Sequence, residues 1–184
     1  MPNDLICKVS DNLSVCGLQS VSDPEIFMGY GFKAHLQLVE GFPEWIMKFT
    51  SVKTLCFDDC VSIPQTVLDE AMSWIKPFYF KDQRILISCA AGESRSVSIA
   101  ICATSLFESM EFYDACKVVF KAIPRAYPHP NPLVSVGKYC KASLHKKQLR
   151  NIYSLVSFPP PFPWQEEELD NALSQQLKVK RYNP

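Results

Sequence analysis

Residues 84–107 read RILISCAAGESRSVSIAICATSLF. An apolar run stops at Cys89, passes through small residues and Gly92, meets Arg95 and turns apolar again. A short apolar run bounded by Gly fits a fully buried strand, so 84–88 reads as one. The segment after Arg95, SVSIAICATSLFESM, is apolar nearly all round, which is the pattern of a helix with no solvent face. A buried strand feeding a buried helix through a tight loop points to a layered α/β arrangement.

The loop between them is Ala90-Ala91-Gly92-Glu93-Ser94. Wrapped into a cradle, its backbone N–H groups point inward, and the helix start adds about half a positive charge. Gly92 lets the backbone approach a ligand closely, and Ala90 and Ala91 keep the floor clear. Arg95 supplies a planar fork that matches two oxygens of an oxyanion. Such a positive field favours the thiolate form of Cys89. A thiolate beneath a bound tetrahedral oxyanion is a nucleophile inside its own anion hole.

Working outward, LSVCGL (13–18), AHLQLV (34–39) and VKTLCF (52–57) read as further strands. TVLDEAMSWI (66–75) reads as a helix ended by Pro77, with Val67, Leu68, Ala71, Met72 and Ile75 on one face. EFYDACKVVFKAI (111–123) is an amphipathic helix that PRAYPHPNP breaks, and VSVGKYCKASLHKKQLRNIYSLV resumes as helix. Strands alternating with helices predict a central, mainly parallel sheet flanked by helices. One domain is expected over 1–157. The remaining 158–184 opens with FPPPFPW, a polyproline II linker, and continues as a short helix with a Leu169, Leu173, Leu177 stripe. That tail has three fates open to it: docking on the domain, self-association or partner docking, or extension into solvent.

Composition narrows the function. The chain is 184 residues long and 47% hydrophobic, with Lys plus Arg equal to Asp plus Glu at nineteen each. Zero net charge offers no footprint for nucleic acid or an anionic membrane surface. No 18-residue apolar span and no signal-peptide pattern occur, so an intracellular, cytoplasmic setting is expected. The eight cysteines lie in apolar segments and read as reduced, small hydrophobes. No C-x-x-C pair occurs, and His35, His129 and His145 do not pair with cysteines at ligand spacing. Neither a metal nor a cofactor is expected.

The run Cys89-Ala-Ala-Gly92-Glu-Ser94-Arg95-Ser96 resembles the C-x5-R-S/T phosphate-binding loop of the protein tyrosine phosphatase superfamily, most closely in its dual-specificity phosphatase form. The resemblance extends from about Leu5 to Lys141 and excludes the Pro-rich tail. It implies catalysis through a phosphocysteine at Cys89, with Ala90 to Arg95 holding the phosphate and Ser96 easing departure of the thiolate. It also implies a general-acid Asp on the loop after the preceding strand. Asp58 and Asp59 are the candidates. Asp58 lies thirty-one residues before Cys89 and twelve before the Glu70-Ala71 pair, the spacing common in that family, and is the first choice; Asp59 is second. The family usually carries His directly before the nucleophile, where this chain has Ser88. Ser keeps a donor and an acceptor but brings no imidazole. The implied activity is therefore a weakened phosphatase, with a phosphoprotein-binding scaffold as the alternative. The resemblance also implies phosphorylated proteins, on Tyr and on Ser/Thr, as substrates. Ala90, Ala91 and Glu93 offer no basic group for polyanionic lipids, and an acid in the loop disfavours extra phosphates.

Overall fold

Residues 85–89 form the middle strand of a five-stranded sheet in a computed structural model that describes residues 6–157 and 164–179. The strands are β1 (Ile6–Lys8), β2 (Leu13–Gly17), β3 (Ala34–Gln37), β4 (Ser51–Thr54) and β5 (Ile85–Cys89), in the order β1-β2-β5-β3-β4. β5 lies parallel to β2 and β3, β3 lies parallel to β4, and β1 runs antiparallel to β2. Every residue of β5 is buried, as a parallel strand covered on both faces requires.

Its side chains alternate between two cores. Ile85, Ile87 and Cys89 join the larger one, while Leu86 joins the smaller. The smaller core is closed by Phe27 of α1 (Pro24–Tyr30), with Val21, Phe32 and Ile46. The larger takes its side chains from α2 (Gln65–Tyr79), α3 (Arg95–Phe107), α4 (Phe112–Ala122), α5 (Pro130–Tyr139), α6 (Lys146–Tyr153) and α7 (Glu166–Val179). The expected α/β architecture is what the chain adopts. α3 is buried without interruption from Arg95 to Ser105, which explains its lack of a polar face.

Two local expectations need correction, and one strand is new. β1 is an additional strand, too short at three residues to show a period. Pro77 does not end α2 but sits inside its last turn. That turn persists because Tyr79 is buried in the core, Phe78 packs against it, and the Phe80 N–H still bonds the Lys76 carbonyl. The stretch from Val134 onward is two helices rather than one. Pro130 and Pro132 lie in the first turn of α5, where a missing N–H costs nothing. α5 then ends because Lys141 turns left-handed at φ +61° and Leu144 folds back over Gly137, where an added Cβ would come within 2.4 Å of the Leu144 side chain. α6 restarts with Gln148 accepting the His145 N–H at 2.7 Å.

The tail helix docks on its own domain. Leu169 and Ala172 of α7 are buried in the larger core. Lys146 pairs with Glu166 and Asp170, and Arg150 with Glu166. These exposed pairs add little, so burial of Leu169 and Ala172, with Leu173 packed against the core, holds the helix; the Leu177 side chain lies outside the described residues. The Pro-rich segment lies outside the described residues apart from Trp164. No helix among the described residues is long and apolar enough to cross a membrane.

Candidate active site

The nucleophile candidate ends the central strand, at the carboxyl edge of the sheet where α/β sites collect. Cys89 is buried, and its Sγ accepts the Gly92 N–H at 3.2 Å and lies 3.2 Å from Ser96 Oγ. Ser96 is fully buried on the first turn of α3. The sulfur is thus faced by a backbone donor and a hydroxyl, both positioned to hold negative charge.

The loop owes its tightness to two glycines. Gly92 has φ +77°, and a Cβ there would lie 2.6 Å from Cys16 C and Gly17 N. Gly17, at the end of β2, approaches from the other side, where a Cβ would lie 2.9 Å from Ala91 C. The Leu18 N–H donates to Ala90 O at 3.0 Å, so two stretches of backbone meet with no side chain between them. Gly92→Ala is expected to lower unfolding free energy by at least ~2 kcal/mol through the left-handed strain and the clash together. Urea unfolding followed by circular dichroism measures it.

Arg95 is almost fully buried. Its Nη1 donates to Phe57 O at 3.1 Å, and its Nε lies 3.7 Å from Asp59 Oδ2. At that distance the contact is an ion pair and not a hydrogen bond. Nε accordingly has no hydrogen-bond partner among the described residues. A buried guanidinium with a free donor suits an oxyanion seated in the loop.

The two aspartates part company here. Asp59 is the carboxylate brought onto the loop: besides Arg95, it accepts from Ser94 Oγ at 3.1 Å and from the Cys60 N–H at 3.0 Å. Cys60 is left-handed at φ +63°, and its carbonyl accepts from Asn131 Nδ2 at 2.8 Å, which ties this turn to the start of α5. Asp58 is exposed and makes no hydrogen bond or ion pair with the loop among the described residues.

The far wall of the loop is held from the segment before α5. The Tyr127 N–H donates to Glu93 O at 2.9 Å and the His129 N–H to Ser94 Oγ at 3.2 Å. Trp164 stacks on Tyr127, centroids 4.9 Å apart and planes 4° apart, and meets the His129 ring edge-on at 4.8 Å. The tail therefore braces the loop through two aromatic neighbours. Burial lowers the pKa of His129. Glu93 pairs with Arg125, which offsets its charge beside the loop.

Ser88, next to Cys89, is fully buried on the opposite face of β5, and its Oγ lies 2.6 Å from His35 Nε2 on β3. Burial pushes His35 down to about 3, so the ring is neutral at working pH. The unfolded chain, with a His pKa near 6.5, takes up the proton first as pH falls. Stability is therefore intact above about pH 6.5 and is lost as pH drops from there toward about 3, by at most roughly 1.4 kcal/mol per unit. Thermal melts from neutral to acid pH should show this slope, and His35→Gln should flatten it.

No protein-family model matches the sequence, and no curated protein matches it. Solved structures do. A mouse protein described as a dual-specificity phosphatase, crystallised with zinc tungstate, is 17% identical with a TM-score of 0.68, over 80% of this chain and 91% of that one. Human DUSP28 is 17% identical with a TM-score of 0.68, over 74% and 93%. The human tyrosine phosphatase-like serine/threonine/tyrosine-interacting protein is 15% identical with a TM-score of 0.62, over 73% and 94%. The chain has the fold of the cysteine-based dual-specificity phosphatases.

Sequence reasoning missed Gly17, His35 and Asn131. The Gly closing LSVCG and the Asn within PHPNP were signals; His35 offered none, because its partner lies fifty-three residues away.

Proposed function

We propose that this chain is a cysteine-dependent protein phosphatase acting on phosphotyrosine and phosphoserine/threonine. The observation that carries the reading is the set around one sulfur: Cys89 with the Gly92 N–H and Ser96 Oγ each 3.2 Å away, beside an Arg95 with a free Nε donor. The loop amides and Arg95 seat the phosphate, and the Cys89 thiolate attacks phosphorus. The P–S bond forms as the ester P–O bond breaks, and a protonated carboxyl gives its proton to the departing oxygen. Asp59 is the carboxyl closest to that task. In the second step the same carboxylate takes a proton from water as its oxygen bonds phosphorus. The P–S bond breaks, and Ser96 donates to the sulfur as it leaves.

A scaffold that reads phosphoprotein without turning it over is the second reading, and Ser88 before the nucleophile favours it. The two part on hydrolysis of p-nitrophenyl phosphate from about pH 4 to 8. A phosphatase gives a bell-shaped profile, its acid limb set by the thiol and its alkaline limb by the acid. A reader gives no release, yet holds phosphopeptide in an Arg95-dependent manner.

A further inference from the structure

A hydrogen-bonded chain of four side chains crosses the sheet and ends one residue before the nucleophile. Thr54 on β4 donates its hydroxyl to Gln37 Oε1 at 3.2 Å, Gln37 Nε2 lies 3.4 Å from His35 Nδ1, and His35 Nε2 lies 2.6 Å from Ser88 Oγ. The direction of the chain follows from its first member. The Gln37 carbonyl is taken by Thr54, so the amide nitrogen faces Nδ1, and Nδ1 must accept. The imidazole proton then sits on Nε2 and is donated to Ser88, which keeps its own O–H for a second bond. We propose that His35 is a positioning residue for Cys89: from the neighbouring strand it locks the Ser88 side chain and thereby fixes the peptide that carries the nucleophile. The proposal rests on the phosphatase reading above.

The surroundings favour this over an ordinary core contact. His35 is fully buried in an otherwise apolar core, and its ring is clamped between Phe27 (centroids 5.9 Å, 47°) and Phe42 (5.0 Å, 83°). Placing a polar ring there costs free energy unless its hydrogen bonds are made. A buried hydrogen-bonded chain favours one geometry where an apolar core tolerates several. Ser88 is held at a second point, because its carbonyl accepts the Leu38 N–H at 2.8 Å. With its hydroxyl tied to β3 and its carbonyl to the residue that follows β3, Ser88 leaves the Cys89 peptide little freedom. The neutral ring supplies orientation and a hydrogen-bond dipole, not charge. The ionisable groups that other elements bring around the loop are Arg95 of α3 and Asp59 of the loop after β4, which pair with each other, and Cys16 of β2, which interacts with the Cys89 thiol. None of them is altered in the test.

The experiment measures the rate of Cys89 alkylation by iodoacetamide against pH in the full chain, read by mass spectrometry of the Cys89 peptide, beside the pH profile for p-nitrophenyl phosphate. Ser88→Ala and His35→Leu remove the bond; Ser88→Thr and His35→Gln keep a hydroxyl and an N–H donor. The two removing variants are expected to raise the pH midpoint of alkylation and to slow the reaction at pH 6 by about tenfold. They should also lower kcat about 10- to 100-fold, on the scale of lost supporting hydrogen bonds around a reactive group, with KM little changed. The two conservative variants should stay near wild type. Midpoints identical to wild type in all four variants would overturn the proposal and leave His35 a core residue. Should His35→Leu fail to fold, Ser88→Ala, which removes a single oxygen, decides alone. Absence of hydrolysis in the wild type would count against the phosphatase reading, whereas alkylation tests His35 without turnover.

Discussion

Cys89→Ser is expected to abolish hydrolysis of p-nitrophenyl phosphate, with kcat falling by on the order of 10⁴-fold or more. A hydroxyl is not ionised at neutral pH and is a far weaker nucleophile than a thiolate. The substitution leaves the cradle in place, since the oxygen still accepts from the Gly92 N–H that now bonds Sγ. Thermal unfolding and Arg95-dependent phosphopeptide binding should therefore stay near wild type while steady-state hydrolysis disappears. Comparable turnover in Cys89→Ser and wild type would remove the thiol from the mechanism.

The second large effect separates the two aspartates. Asp59→Asn should lower kcat by about 10²- to 10⁴-fold on a phosphate ester with a poor leaving group, the range of a lost general acid. The loss should shrink for p-nitrophenyl phosphate, whose phenolate leaves without help. The alkaline limb of the pH profile should flatten as well, because that limb reports ionisation of the acid. Asp58→Asn should leave all three readouts close to wild type. The reason is geometric: Asp59 lies 3.7 Å from Arg95 Nε and accepts from Ser94 Oγ, while Asp58 is exposed and touches neither. The opposite pattern, with Asp58→Asn crippled and Asp59→Asn active, would make Asp58, the residue that spacing favours, the acid.

Those aspartates show where sequence reading stops. The strand–loop–helix core of the site was legible because each part has a local cause: an apolar run, a Gly that must reach φ +77°, and a helix with no polar face. Counting back thirty-one residues cannot see that Cys60 turns left-handed and that Asn131 ties the turn down, and these two features present Asp59 to the loop. Long-range contacts likewise decided what local propensity got wrong. Burial of Tyr79 carries α2 past Pro77, and Leu144 folding onto Gly137 splits the helix expected after Val134. His35 reaches Ser88 only through the register of β3 on β5, which pairs Gln37 with Ser88 and His35 with Leu86. Docking of α7 was one of three open fates, and burial of Leu169 and Ala172 selects it.

The tail adds a consequence for the site. Trp164 stacks on Tyr127, whose N–H holds Glu93, and meets edge-on the ring of His129, whose N–H holds Ser94. The loop's outer wall is thus anchored both to the sheet, through Gly17, and to the C-terminal segment.

The measurement that tests the central claim most directly is a rapid-quench experiment with p-nitrophenyl phosphate on the wild-type chain, followed by mass analysis of the Cys89 peptide. A phosphatase of this design releases p-nitrophenol in a burst stoichiometric with enzyme, wherever the second step is slower than the first, and the quenched peptide carries one phosphoryl group on Cys89. Neither burst nor steady release, with an unmodified Cys89 peptide and phosphopeptide still held through Arg95, would contradict the phosphatase and leave a reader of phosphate.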